Sequence, residues 1–410
     1  MNFTPNNVRT QFLSLTQEVD NKPVIFFDGP GGSQVPQRVI DSMSHYLGFS
    51  NSNLGGHFFS SKNTNDVLNQ ARLSCAALLN AKSEENIIFG PNMTSLTFQL
   101  SRAISRDWKR GDEIIVTALD HYSNVSSWQQ AAEDKGVIVH QVRIKEDDCT
   151  LDMEHLYSLL TEKTKLVATT YASNTTGSIV DVKSIVEAAH QVNAMVYVDA
   201  VHYAPHHLID VQALGCDFLA CSAYKFFGPH VGIAYVSPKW MYALSPYKVE
   251  PATNVGPGRF ETGTQSFEAL AGLTSAVEYL AQWGDESLSL RDRLKKSFEQ
   301  YQIHEDELTQ HFLNKLAVRP WIRLYGITDK NKLSERTPTF ALRIDGIKPE
   351  KIAKILAEYN VCVWSGHFYA IGLIKQLGFY ERGGVVRIGF MHYNTIEEID
   401  YLFSLLDAFA

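Results

Sequence analysis

The sequence has no CxxC pair and no cluster of closely spaced His and Cys; its five cysteines lie scattered at positions 75, 149, 216, 221 and 362. A disulfide framework and the usual zinc spacings are thereby excluded, and reduced, mostly buried thiols are expected. Positive charge is also short: 37 Lys and Arg against 45 Asp and Glu give a net charge of -8. Such a chain has no electrostatic footprint for nucleic acid or for an anionic membrane surface. No apolar window approaches the length of a bilayer span, and the opening MNFTPNNVRTQFLSL lacks the basic flank and continuous apolar stretch of a signal peptide. A cytoplasmic protein is expected. Also missing are the GxGxxG of a dinucleotide fold and the GKS or GKT of a Walker loop; GPGGS (29–33) has neither spacing and reads as a turn or a substrate-facing loop.

What is present is enough chain for two domains with a sizeable core: 410 residues, 45% hydrophobic and 20% charged, as in ordinary globular proteins. From about residue 85 to 236, short β-rich runs alternate with helix-like stretches: EIIVTA (113–118), VIVHQVRI (137–144), KLVATTY (165–171), AMVYVDA (194–200), DFLAC (217–221) and VGIAYV (231–236). This alternation predicts βαβ units and a largely parallel sheet, and the lack of strict apolar/polar alternation predicts helices on both faces. Beyond about residue 265 the pattern becomes helical, then mixed, with TFALRID (339–345), KPEKIAKILAEYN (348–360), VCVW (361–364), VVRIGF (385–390) and a last helix whose Thr395 and Glu398 are spaced as a capping box. The expected division is an N-terminal arm (1–24), a large α/β domain (25–265) and a smaller α+β domain (266–410).

In an open α/β sheet, ligands gather at the carboxyl ends of strands. EIIVTA leads to His121, KLVATTY to Asn174, AMVYVD ends on Asp199, and DFLAC leads into SAYKFFGPH with Ser222, Tyr224 and Lys225. A lysine among aromatic residues loses solvation, which lowers its pKa and makes it a usable amine nucleophile. An imidazole, an amide, a carboxylate and an amine in one crevice match the needs of pyridoxal phosphate: Lys225 for the Schiff base, Asp199 at the pyridine nitrogen, His121 on the ring face, and Asn174 or His202 at the phenolic oxygen. Taken one at a time, each has an ordinary structural reading as a turn former, a cap or a core histidine. The stretch IIFGPNMTSLTFQLSRAI (87–104) supplies a strand running into a helix whose first residues, Met93, Thr94 and Ser95, offer backbone N–H groups to a phosphate; Thr94 or Ser95 would otherwise be a plain helix cap. His202, His206 and His207 in VHYAPHH are spaced like helical metal ligands, but Pro205 interrupts a helix there, so no metal site is expected.

With those residues in place, the chain resembles the class V aminotransferase group of fold-type I pyridoxal-phosphate enzymes, in its cysteine desulfurase and selenocysteine lyase branch. FFDGPGGSQVP (26–36), FGPNMTSLTF (89–98), VDAVHYAPHHLIDVQALGCDFLACSAYKFFGP (198–229) and VVRIGFMHYNTIEEID (385–400) carry the resemblance, which covers nearly the whole chain. It implies a mostly parallel seven-stranded sheet in the large domain, with Lys225 as the Schiff-base lysine, Asp199 at the ring nitrogen and His121 stacked on the ring. It also implies Asn174 and His202 near the phenolic oxygen, a phosphate held by the Met93 amide, Thr94, Ser222 and Tyr224, and Arg387 gripping the substrate carboxylate. RFETGTQSF (259–267) resembles a segment that lends Thr264 to a neighbouring subunit, which implies a homodimer with shared sites. The implied activity is on a small amino acid, by desulfurase-like or C–S or C–Se lyase chemistry, with transamination or epimerisation as the alternative; a sulfur-acceptor protein is an implied but unidentified partner. One departure stands out. Where this branch carries a mobile persulfide-forming cysteine, WSGHFYAIG (364–372) has Tyr369, and Cys362 is expected to be a buried strand residue.

Overall fold

Seven apolar segments pair into one sheet in the computed structural model, which describes residues 3–410. They are β1 (Ile87–Gly90), β2 (Glu113–Thr117), β3 (Ile138–Val142), β4 (Thr164–Thr170), β5 (Met195–Asp199), β6 (Phe218–Ser222) and β7 (Gly232–Val236), in spatial order β1-β7-β6-β5-β4-β2-β3. The pairs from β6 through β3 are parallel, while β7 runs antiparallel to both β6 and β1. Successive side chains in a strand point to opposite faces, so each strand feeds two cores. Ile115, Val167, Val196, Val198 and Leu219 pack on one face with Ile185 and Val186 of the helix Val182–Gln191. Ile114, Val116, Leu166, Ala168 and Phe218 pack on the other with the helices Met93–Ile104 and Ser123–Lys135. Covering both faces is what lets a mainly parallel sheet exist.

The C-terminal part builds an antiparallel sheet from β8 (Ile322–Tyr325), β9 (Thr339–Ile344), β10 (Trp364–Gly366) and β11 (Val385–Gly389), in the order β8-β9-β11-β10. The closing helix, Ile396–Leu406, has the expected capping box from Thr395 and Glu398. VCVW does not form one strand: Val361–Cys362 pairs in parallel with Ile25–Phe26, and Trp364 begins β10. Cys362 is therefore a strand residue but only half-buried, because its short strand sits where the N-terminal segment crosses the smaller unit. Ile25 and Phe27 pack in the smaller unit's core with Phe312, Phe340 and Phe390.

One helix joins the two cores, and a second extends the large one. Leu290–Ala317 gives Leu294, Phe298 and Tyr301 to the large core and Leu308, Phe312 and Leu313 to the small one. Phe267–Leu280 packs on the helices Gln37–Phe49 and Phe59–Leu79, and its Leu270, Leu273 and Val277 lie in the large core. Leu290–Ala317 thus contributes side chains to both cores. No helix among the described residues is long and apolar enough to cross a membrane.

The carboxyl ends of β2, β4, β5 and β6 open toward one side, where the helix Met93–Ile104 also begins. Its N-cap is Asn92, whose side chain accepts from the Ser95 amide at 2.9 Å, so neither Thr94 nor Ser95 is the cap. Gly232, at the start of β7, lies against the Asn92 backbone, and any Cβ there would collide with it. Gly232→Ala is expected to destabilise the fold by about 1–3 kcal/mol, as overpacking against rigid backbone does; urea unfolding midpoints at constant m-value check it.

Candidate active site

The strand ends and the Met93–Ile104 helix start enclose a cavity of about 600 Å³, within the range of small-molecule sites. Met93, Thr94, His121, Asn174, Asp199, His202, Ser222, Tyr224 and Lys225 all line it. Two expected residues do not: Arg387 stands beside it, and Thr264 is exposed in a separate cleft with Leu54, Lys248 and Gln265.

Lys225 ends a single tight turn, Ala223–Lys225, that follows β6. Its Nζ donates to the Pro30 carbonyl, and the Tyr224 ring lies 4.9 Å away. Burial first, and then the neighbouring Arg387 guanidinium, lower its pKa to about 7, against the pull of Asp199 and Asp28. The turn is held from the N-terminal side, since the Phe227 amide donates to Ser33 Oγ at 2.7 Å and the Ser33 amide donates to the Tyr224 carbonyl at 3.1 Å. Phe227 has φ +69°, and its ring packs among Phe12, Tyr279, His392 and Tyr393.

Asp199 ends β5 and accepts from the Val201 amide at 2.9 Å. Burial raises its pKa to about 6, with the Val201 N–H and Lys225 opposing. His121 follows β2; its Nδ1 accepts from the Ser123 amide at 3.1 Å and lies 2.7 Å from Ser123 Oγ. That acceptor role places the proton of the neutral ring on Nε2. Burial, then Lys225 and Arg387, lower its pKa to about 4, so it is neutral near pH 7. Behind it, buried Asp120 accepts from Thr117 Oγ1 and from Asn124 Nδ2, and Asn124 in turn accepts from Trp128 Nε1 at 2.9 Å, fixing the turn that carries the imidazole.

At the other end of the cavity, the Met93 amide donates to Ser222 Oγ at 2.9 Å, joining the helix start to the end of β6. His202 lines the cavity, yet its Nε2 lies 3.1 and 3.0 Å from the hydroxyls of Thr337 and Thr339. Burial holds it neutral. His206 turns away to Glu305, 2.9 Å distant, and no group of three or more metal-binding side chains exists among the described residues. Asn174 spends its amide on the Phe368 carbonyl at 2.9 Å, while its own carbonyl accepts from Arg387 Nη1 at 2.9 Å. Arg387 is buried, its Nε has no partner, and its guanidinium lies 4.1 Å over the Phe368 ring.

Asp28, Ser33 and Phe368 were not singled out from sequence. Asp28 carried a usable signal, because it ends the apolar run VIFF (24–27) just before GPGGS. Burial raises its carboxyl to about 6, against Arg387 and Lys225, and its Oδ1 has no partner. GPGGS does face the site: a Cβ on Gly31 would come within 2.8 Å of Trp364 Nε1 and 3.6 Å of Arg387 Nη2, and one on Gly32 would meet the Tyr224 ring.

This donor set fits pyridoxal phosphate. A helix start offers N–H groups to a phosphate, a desolvated amine and a buried carboxylate face one cavity, and the orphaned Arg387 Nε leaves a cation for a carboxylate. In cofactor-free protein, the rate at which cyanate carbamylates Lys225 is expected to climb as pH passes about 7, because only the neutral amine reacts. Arg387→Leu, by removing a like charge, moves that midpoint upward. Peptide mapping by mass spectrometry reads both, and a wild-type midpoint near the ordinary 10.5 refutes the assignment.

The chain matches the family model described as aminotransferase class-V over residues 25–402. A probable cysteine desulfurase of Synechocystis sp. is 30% identical, covering 98% of this chain and 94% of its own length. An aminotransferase-like protein of Gibberella zeae is 32% identical over 99% of this chain and 98% of its own. The apo structure of a cysteine desulfurase from Thermococcus onnurineus superposes with a TM-score of 0.88 at 25% identity, covering 100% of this chain and 99% of that one. With a family match spanning most of its length, relatives aligned end to end and a site built for the same cofactor, the chain belongs to the class-V aminotransferase family, whose members are pyridoxal-phosphate enzymes.

Proposed function

We propose that the chain is a pyridoxal-phosphate enzyme that acts on a small α-amino acid by desulfurase-like chemistry, releasing sulfur or selenium from Cβ. The observation that carries this reading is the convergence on one cavity of the Lys225 amine and the Asp199 carboxylate, with the Arg387 guanidinium beside it. When bound, pyridoxal phosphate supplies an electron sink that acidifies the substrate's Cα–H. Lys225 would hold the cofactor through its amine, and its Nζ, when free, would accept the substrate's Cα proton. With a pKa near 7, it can both accept and return that proton at neutral pH. Asp199 would keep a proton on the cofactor's ring nitrogen, and neutral His121 would offer a flat face to the ring. His202 and Asn174 would neighbour its phenolic oxygen, and the Met93 amide, Thr94, Ser222 and Tyr224 would hold its phosphate. Arg387 binds the substrate carboxylate, a geometry for which guanidinium is suited.

Thr264, remote from its own chain's cavity, fits a contribution to a neighbouring subunit's phosphate site in a homodimer. The five free cysteines fit the reducing cytoplasm.

The cysteines also shape the reaction. Cys75, Cys149, Cys216 and Cys221 are buried, and half-buried Cys362 has its thiol pushed up to about 11 by burial and by Asp28. No thiolate therefore forms near neutrality to receive sulfur. Release then proceeds by elimination: cysteine and water give sulfide, ammonia and pyruvate, with no sulfur-acceptor protein required. The same lack of a thiol favours a second reading, transamination or epimerisation, in which Cβ stays intact; the aminotransferase-like relative agrees with it.

Wild-type protein loaded with the cofactor is expected to show a visible absorption that borohydride fixes on Lys225, and Lys225→Ala loses both this signal and at least about three orders of magnitude in turnover. Sulfide, selenide, pyruvate, alanine, ammonia, oxo acid and racemised amino acid are assayed separately. Sulfide with pyruvate, unchanged within about twofold in Cys362→Ser, identifies elimination. An oxo acid that keeps its β-substituent, or a racemised substrate, identifies the second reading. A wild-type protein with no borohydride-fixed adduct overturns both.

A further inference from the structure

The loop between β10 and the helix Ile371–Gln376 contains two consecutive residues in the left-handed region, Phe368 (φ +51°) and Tyr369 (φ +59°). Neither is a glycine, and residues with a Cβ rarely adopt this conformation, so surrounding contacts must hold it. Those contacts go to the cavity. The Tyr122 amide donates to the Tyr369 carbonyl at 2.8 Å, and Asn174 Nδ2 donates to the Phe368 carbonyl at 2.9 Å. Within the loop, the Tyr369 amide donates to His367 Nδ1 at 3.1 Å and the Ala370 amide to the His367 carbonyl at 2.8 Å. The two rings then diverge. Phe368 lies under the Arg387 guanidinium at 4.1 Å, and Tyr369 stacks on His121 with centroids 5.1 Å apart and planes 28° from parallel.

Arg387, Asn174 and Phe368 thus close a triangle in which each member touches the other two. One face of the guanidinium is covered by the Phe368 ring, and Nη1 is spent on the Asn174 carbonyl. What remains is the edge formed by Nε, which has no partner, and Nη2, which faces the space kept clear by Gly31. That edge presents two parallel N–H bonds to one planar carboxylate. The other charges at the site are Lys225, Asp28 and Asp199, so a second carboxylate on the substrate would find the remaining cation committed and two acidic groups nearby. Tyr369, mostly exposed and anchored by its stack on His121, stands beside a residue that lines the cavity.

We propose that Phe368 and Tyr369 determine substrate specificity: Phe368 holds Arg387 so that its Nε and Nη2 edge receives a single α-carboxylate, and Tyr369 limits the side chain, selecting small monocarboxylic amino acids. This deepens the proposed function and rests on it. Phe368 acts through Arg387 and is a positioning residue; Tyr369 meets the substrate directly.

The test titrates cofactor-loaded wild type, Phe368→Leu, Phe368→Tyr, Tyr369→Ala and Tyr369→Phe with alanine, cysteine, aspartate and phenylalanine, reading equilibrium binding from the cofactor's visible absorption. Wild type is expected to bind alanine and cysteine in preference to aspartate and phenylalanine. Phe368→Leu raises the Kd of the small amino acids about tenfold, as loss of a desolvated cation–π contact should, and raises KM far more than it lowers kcat; Phe368→Tyr restores both. Tyr369→Ala narrows the preference for alanine over phenylalanine about tenfold, and Tyr369→Phe keeps it. If wild type binds no amino acid, the proposed function fails. If it binds them and both Phe368→Leu and Tyr369→Ala leave affinity and size preference unchanged, the specificity assignment is overturned and the function stands.

Discussion

The structure is organised around the cost of keeping one amine out of water. Lowering the Lys225 pKa from 10.5 to about 7 corresponds to a penalty on the order of 5 kcal/mol against the charged form, and the fold must supply it. Much of the molecule takes part. Phe226 and Phe227 follow the lysine into the interior, and Phe227 adopts a left-handed backbone whose ring is caged by Phe12 near the N-terminus, Tyr279 in a late helix, and His392 and Tyr393 after β11. Segments hundreds of residues apart therefore meet on the residue two places after the lysine. Their packing holds the turn that carries Lys225, and the Pro30 carbonyl gives its Nζ one neutral acceptor.

Desolvation alone would leave a set of mutually destabilising charges. The site answers with alternation: cationic Arg387 and the amine of Lys225 lie among Asp28 and Asp199, and the flanking imidazoles of His121 and His202 are held neutral. Neutrality of His121 matters for its proposed place on the ring face, since a second cation there would compete with the proton that Asp199 is proposed to stabilise. Asp28 and Arg387 differ from these groups. Each leaves a polar atom unpaired, Oδ1 and Nε respectively, in a region where most polar atoms are matched. Unpaired buried groups are costly, and a site with two of them beside its cavity is prepared for a polar ligand.

How much of this is visible in sequence follows from how local each feature is. The six apolar runs between residues 113 and 236 became β2 to β7 because the strand signal depends on neighbours a few residues away. His121, Asp199 and Lys225 were legible as the polar residues ending such runs. β8, at Ile322–Tyr325, was not, since four residues after a long helix give little periodicity. Arg387 sits inside a strand and gained meaning only by resemblance. The Asn174 bond to Phe368 joins residues 194 apart, and nothing in either local sequence announces it. Asn174 and His202 show the converse: both were placed at the cavity from sequence, but their hydrogen bonds to Phe368, Thr337 and Thr339 come from the second unit and could not be read from their own strands.

The position of Tyr369 ties these threads together. A residue that hands sulfur onward must move between the cavity and its acceptor, and a loop carrying it must be loosely held. This loop is held at both ends of its two strained residues, by Tyr122 and Asn174, and its rings are engaged with His121 and Arg387. Strain of this kind persists only where contacts over-determine it. A phenol with no capacity for a persulfide, on a loop braced against movement, serves as a wall and not as a carrier. On the proposed reading the leaving group departs on its own or stays on the substrate, and the bracing of this short aromatic turn is what sets those outcomes apart from transfer to a protein thiol.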